Sequence, residues 1–205
     1  MTKRAMNLTR AIETVRRVRR ATDVVITTMG PAREWMAHGA QPLDLIFVPS
    51  AMGHATSFGL GLAVAQPARR VIVCNGDGSM LMNLGSLVTI AAAGAENLTV
   101  VVFNNGVYEV TGAQPTPNSV ANVEFATIAR GCGIESVHHF GSNDAWDAAA
   151  PSIVAGRGPH VVILDVAPML GKPGPKSPGN AAQRAVAFKA ALSSSLDAGS
   201  AKSSP

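Results

Sequence analysis

Two stretches combine residue types that could do chemistry: Cys74-Asn75-Gly76-Asp77-Gly78-Ser79 and Phe103-Asn104-Asn105-Gly106-Val107-Tyr108. Each follows a β-branched apolar run (Val71 to Val73, Thr99 to Val102) of the kind that forms a buried parallel strand, so each puts a polar turn at a strand's carboxyl end. Open α/β sheets bind ligands there. Gly76 and Gly78 flank a single carboxylate, Asp77, and let the backbone turn sharply beside a bound anion. Ser79 and the amides after it are expected to open a helix from Met80 to Ala93, whose free N–H groups and positive dipole end suit a diphosphate. A carboxylate beside phosphate calls for a bridging divalent cation. Hard Mg2+ takes oxygen ligands, commonly one or two from protein with the rest from phosphate and water. Asp77, the amide oxygen of Asn105 and the Val107 carbonyl are the candidate metal ligands.

These residues carry a resemblance. Gly76-Asp77-Gly78, followed beyond the next strand by Asn104-Asn105, resembles the diphosphate-binding motif of thiamine diphosphate (ThDP) enzymes. The resemblance implies ThDP and Mg2+ as cofactors, with Asp77, Asn105 and the Val107 carbonyl as metal ligands. It also implies cofactor contacts from Gly53, Gly76, Gly78, Ser79 and Tyr108. Upstream, Ser50-Ala51-Met52-Gly53-His54 follows an apolar run (Leu45 to Val48) and is similar to the segment whose large apolar residue wedges under ThDP and bends it. By that match Met52 is the wedge, the Ser50 carbonyl accepts from the cofactor's 4′-amino group, and the Met52 N–H donates to its pyrimidine ring. Many relatives carry Gly where Ser50 stands, but only a backbone group is needed there. Met52 read alone is equally an unbranched core filler. His54 reads as a contact to diphosphate or substrate, or as a hydrogen-bonded structural histidine.

The segment Glu109 to Asn118, rich in Gly, Pro and Thr, reads as a substrate-bordering loop. Its Thr111-Gly112 and Gln114-Pro115-Thr116, with Asn105 to Tyr108, resemble the sulfopyruvate and phosphonopyruvate decarboxylases. Glu109 is either a solvated loop carboxylate or an active-site acid or base.

The elements that must position these turns alternate. Helices are expected at 4–20, 57–65, 123–132, 144–155 and 181–192, with a short one from Gly30-Pro31 to Met36; further strands are expected at 24–28, 135–138 and 160–166. The pattern predicts an α/β fold, a doubly wound, mainly parallel sheet with helices on both faces. The chain is read as one domain over 1–192 with a disordered tail from Ser193 to Pro205. Gly59-Leu60-Gly61 is no dinucleotide fingerprint, because it follows no strand directly, and its small residues suit close helix packing.

Composition excludes several classes. Of 205 residues, 47% are hydrophobic and the formal charge is +4, but residues 1–20 hold seven of the 17 Lys and Arg and only one of the 13 acids. The body is near neutral, and one Tyr, two Trp and six Phe make no base-stacking platform, so nucleic acid is not expected as a partner. The basic helix at 4–20 carries Leu8, Ile12 and Val15 on one side; packing on the domain or a second chain is preferred over lipid, whose binding faces are bulkier. Cys74 and Cys132 lack metal-ligand spacing and suit free thiols in a reducing cytoplasm. No run approaches the roughly 18 to 20 apolar residues of a membrane span, so a cytoplasmic protein with no membrane contact is expected.

In the ThDP family the activating glutamate lies in a separate pyrimidine-binding domain. Since the resemblance covers only the diphosphate-binding domain, roughly Val24 to Val166, the glutamate is expected from a partner chain in an α2β2-like hetero-oligomer, as in the two-subunit sulfopyruvate decarboxylase. The resemblance implies decarboxylation of a small 2-oxo acid with an anionic tail. An acetolactate-synthase-like carboligase subunit and a non-catalytic regulatory subunit of the same fold stand as alternatives.

Overall fold

A computed structural model describes residues 5–47, 52–171 and 177–200. The chain runs α1 (Leu8–Val18), β1 (Val24–Thr28), α2 (Met29–Ala37), β2 (Asp44–Phe47), α3 (Ala55–Ala65), β3 (Val71–Gly76), α4 (Asp77–Leu81), α5 (Gly85–Ala93) and β4 (Leu98–Asn104). It continues through β5 (Val107–Tyr108), a 3-10 turn (Glu109–Thr111), β6 (Gln114–Pro115), α6 (Pro117–Val120), α7 (Phe125–Gly131), β7 (Ser136–Phe140), α8 (Asn143–Ala155), β8 (His160–Asp165) and α9 (Ala181–Ser200). Six strands form one sheet in the order β2-β1-β3-β4-β8-β7, and every neighbouring pair is parallel. The chain winds outward from β1 to β2, then returns to lay β3 on the other side of β1. That reversal makes a switch point at the carboxyl ends of β1 and β3.

The inner strands are apolar on both sides because both faces are covered. Val24, Ile26, Val71, Val73, Val100, Val102, Val161 and Ile163 enter one core, beneath α3, α5, α7 and α9. Their neighbours Val25, Ile72, Cys74, Val101, Phe103, Val162 and Leu164 enter the other, beneath α1, α2 and α8. The period-two alternation of strand side chains therefore fills two cores, not one core and a wet face.

The stripe on α1 is used by the domain itself: Leu8, Ile12 and Val15 are buried among Trp35 of α2 and Trp146 and Ala150 of α8. Arg10 reaches Asp144 and Asp147 of α8, and Arg17 also pairs with Asp147. Close packing is confirmed at Gly59, where a Cβ would sit 2.2 Å from Val73 Cγ2, but not at Gly61, where it would meet nothing within 4 Å. Both cysteines are free, Cys74 buried and Cys132 half-buried.

Four expectations change. The single helix from Met80 to Ala93 is two, because the peptide N–H groups of Asn83, Ser86 and Leu87 donate three residues back, to Met80, Asn83 and Leu84, and tighten the chain before Gly85, a poor helix former. The strand before it runs on to Gly76, and the helix opens at Asp77. The loop at 109–118 is ordered by the β5–β6 hairpin and the turns around it. The last helix continues past Leu192 to Ser200; the tail there keeps Ala, Leu and Ser spacing without a proline to stop it.

Candidate functional site

The carboxyl ends of β1, β3 and β4 border one cleft, lined by Met29, Gly30, Met52, Gly76 to Ser79, Asn105 and Val107 to Thr111. The structure thus brings together most of the residues singled out by sequence: Met52, Gly76, Asp77, Gly78, Ser79, Asn105, Val107, Tyr108 and Glu109.

Asp77 sits at the first position of α4 and is 2% exposed. Its Oδ2 accepts from the Gly106 N–H at 2.9 Å and from Thr116 Oγ1 at 3.3 Å. Burial pushes its carboxyl above the usual carboxylate range, and hydrogen bonds from the Gly78 and Gly106 N–H groups and the Thr116 hydroxyl draw it back. Among the described residues no Lys, Arg or His pairs with it. A buried, hydrogen-bonded carboxylate without a cationic side chain is a ready ligand for a metal cation. No cluster of three His, Cys, Asp or Glu exists among the described residues, so a cation here would rest on one carboxylate and neutral oxygens. That donor set suits Mg2+.

Gly76 caps α4 in an extended conformation with no side-chain cap, so the first-turn amides are left to other acceptors. A Cβ on Gly76 would meet nothing within 4 Å, whereas one on Gly78 would lie 2.4 Å from the Tyr108 ring. The two glycines therefore do different work: Gly76 keeps the cleft floor bare, and Gly78 admits the aromatic ring of Tyr108.

Asn105 Oδ1 accepts from the Val107 N–H at 2.9 Å, and its Nδ2 donates to Glu109 Oε1 at 2.9 Å. Gly106 turns the chain with φ +75°, and its carbonyl is held by the Thr116 N–H and Ser119 Oγ. Glu109 is not a solvated loop carboxylate: its side chain is 9% exposed, its Oε1 also accepts from the Met169 N–H at 2.7 Å, and Arg33 Nη2 lies 3.7 Å from its Oε2.

Met52 lines the cleft and, among the described residues, is grouped with neither apolar core. The turn after it is sewn to α4: the Gly53 N–H donates to Ser79 Oγ at 3.1 Å, and Asn83 Nδ2 donates to the Gly53 carbonyl at 2.8 Å. Gly53 itself has φ +79°. His54 is not brought to the site: it is exposed, outside the cleft lining, with Nδ1 3.0 Å from the Met52 carbonyl of its own turn. Ser50 lies outside the described residues.

Three participants escaped the sequence reading. Thr116 is fully buried on Asp77, and the Gln-Pro-Thr stretch was its only signal. Met29 holds φ +57° at the first turn of α2 and lines the cleft, which nothing in its residue type foretells. Arg33 approaches Glu109 from α2 across a long sequence separation.

Comparison with known proteins gives the family and the fold. The family described as thiamine pyrophosphate enzyme, C-terminal TPP binding domain, matches residues 25–164. Phosphonopyruvate decarboxylase of Streptomyces hygroscopicus is 39% identical over 75% of this chain and 38% of its own length. Sulfopyruvate decarboxylase subunit beta of Methanothermobacter thermautotrophicus is 41% identical over 56% of this chain and 60% of its own length. This chain thus spans well under half of the first relative and three fifths of the second. A solved structure described as a thiamin diphosphate-dependent enzyme from Mycobacterium smegmatis superposes with a TM-score of 0.66 over 80% of this chain and 32% of its own; at 21% identity it speaks for the fold alone. With the matched segment reaching from β1 into β8 and containing the glycine-flanked Asp77 and the paired asparagines, the chain belongs to the thiamine pyrophosphate enzyme family as its C-terminal TPP binding domain.

Proposed function

We propose that this chain holds the diphosphate of ThDP through Mg2+ and forms half the active site of a 2-oxo acid decarboxylase, completed by a pyrimidine-domain partner that brings the activating glutamate. The observation that carries the reading is Asp77: buried, with no cationic side chain paired to it among the described residues, beside the uncapped start of α4 and the Asn105 turn. ThDP supplies the carbanion that adds to a 2-oxo acid and the electron sink that lets carbon dioxide leave. The chain's own part is to bind and place. Asp77, Asn105 and the Val107 carbonyl would hold the cation, the α4 amides would face the phosphates, and Met52 would support the bend of the cofactor. Tyr108, Val110 and Thr111 border the space beyond and would help keep water out.

Sulfopyruvate and phosphonopyruvate, named in the relatives, are the substrates to try first. A partner is supported by the beta-subunit names of such relatives and by the exposed Phe58, Val64, Met82 and Val88 on and between α3 and α5. An α2β2-like assembly is the form expected.

The test is carbon dioxide release by the chain with and without a co-expressed pyrimidine-domain chain, in ThDP and Mg2+. Activity is expected only from the pair and not from its Asp77→Ala form. Turnover by the chain alone at about 1 per second or faster, as ordinary enzymes reach, would overturn the shared site. An assembled pair that never binds ThDP would leave a structural subunit.

A further inference from the structure

The Asn105 amide has two unlike ends, and only its oxygen can serve a cation. Which end faces where is set by the groups around it. Val107 N–H, a donor, meets Oδ1; the Glu109 carboxylate, whose Oε1 accepts, meets Nδ2. Glu109 is itself fixed from two further sides, by the Met169 N–H on Oε1 and by Arg33 Nη2 at 3.7 Å from Oε2, an ion pair too long for a hydrogen bond. Arg33 is steadied in turn by Glu34, to which its Nε donates at 3.2 Å, and Glu34 accepts from Thr9 Oγ1 of α1 at 2.7 Å.

A chain of polar contacts therefore runs from α1 through α2 to the turn after β4. It shares no residue with the support of Asp77, which comes from Gly106 and Thr116. None of these links involves a solvent-facing carboxylate: the side chains of Glu34 and Glu109 are each 9% exposed.

We propose that Glu109 is a positioning residue that locks the Asn105 amide with its oxygen available to the cation, so that the Thr9–Glu34–Arg33–Glu109 chain sets the Mg2+ affinity of the site. This rests on the reading of Asn105 as a metal ligand. It departs from the acid or base role considered for Glu109, because the carboxylate is already engaged by an amide, a peptide N–H and a guanidinium. Hydrogen-bonded partners of metal ligands typically carry a 10- to 100-fold effect on metal affinity.

The experiment titrates Mg2+ at saturating ThDP into the full chain with its pyrimidine-domain partner, reading cofactor binding by calorimetry. Glu109→Ala should raise the Mg2+ concentration for half-maximal binding about tenfold or more, while Glu109→Gln, whose Oε1 can keep both N–H contacts, should raise it by less than about threefold. Arg33→Ala should fall between them. If Glu109→Ala melts before it can be titrated, Glu109→Asp, which withdraws the carboxylate from Asn105 but keeps its charge, takes its place with the same expectation. A parent complex that binds ThDP without any dependence on Mg2+ would overturn the metal reading itself. A Mg2+-dependent parent with an unchanged Glu109→Ala titration would overturn only the positioning role. Loss of turnover in both Glu109→Gln and Glu109→Ala with unchanged Mg2+ dependence would assign Glu109 as an acid or base instead.

Discussion

Two buried aspartates lie at opposite ends of the same sheet, and their surroundings differ in one respect. Asp23, just before β1 at the amino end, is fully buried and takes Arg20 and Arg70 as ion-pair partners; Arg70 also donates to the Val154 carbonyl. Asp77, at the carboxyl end of β3, is as deeply buried but receives only peptide N–H and hydroxyl donors among the described residues. At the amino end Asn97 Nδ2 serves the carbonyls of Ala63, Gln66 and Arg69, although Arg19 Nε and His160 Nε2 are buried there without a hydrogen-bond partner. The carboxyl end keeps Asn75 Oδ1 and Asn118 Oδ1 buried without a hydrogen-bond partner. A charge matched inside the chain contributes to the fold, and one left for an outside cation contributes to binding.

The comparison is most sharply tested by deleting each carboxylate. Asp23→Ala leaves the mostly buried Arg70 facing a void, with Arg20 free to turn to solvent, and should cost about 3 kcal/mol in chemical denaturation, with little effect on cofactor affinity in whatever remains folded. Asp77→Ala should do the reverse, abolishing ThDP retention by the assembled complex while costing stability no more than about 1–2 kcal/mol, because relief from burying a charge offsets the orphaned donors. Equal unfolding costs for the two would break the distinction.

A smaller effect separates placement from binding at the carboxyl end. Met52→Ala should lower turnover on the order of a hundredfold while weakening ThDP binding far less, because a small misplacement of reacting groups is costly. Unchanged kcat would return Met52 to simple packing. Ligand linkage comes next: ThDP and Mg2+ at about a hundred times Kd should stabilise the parent complex by about 2.7 kcal/mol, and chelation of the metal should remove the gain. The same addition should leave the Asp77→Ala complex unmoved.

The smallest effect belongs to the amino end. Ser136 Oγ lies 3.0 Å from His138 Nε2 and 2.6 Å from His160 Nδ1, and burial lowers the pKa of both imidazoles below the ordinary histidine value. The unfolded chain then takes up protons that the folded one resists. Stability should be full above about pH 6.5 and fall as the pH drops below it. Thermal melts from pH 7.5 to 5 would show the slope, and His160→Asn, which keeps a hydrogen-bonding group near Ser136, should flatten it. A melt independent of pH in the parent would count against burial of these imidazoles in their neutral form.

Much of this was readable in one dimension. The β-branched runs at Val71 to Val73 and Thr99 to Val102 named central strands, because burial on both faces selects apolar residues at every position, and the glycines around Asp77 and the paired asparagines marked the turns after them. Local chemistry of that kind is written in adjacent residues, and it singled out Asp77, Asn105 and Met52, which the structure gathers along one cleft. The helix break at Met82 to Leu84 was less legible, since tight three-residue turns there depend on Asn83 reaching Gly53 and Ser57 from another segment.

What the sequence by itself determined is the strand–turn–helix unit that puts a glycine-flanked carboxylate at the carboxyl end of β3, and the family to which the chain belongs. Only the tertiary structure decided the company each residue keeps. Glu109 became a buried clasp because Arg33 and Met169 arrive from distant elements, Thr116 became a donor to Asp77 through the β5–β6 hairpin, and His54 was left exposed outside the cleft lining. Such partnerships form by packing between segments far apart in the chain, and residue order carries no local trace of them.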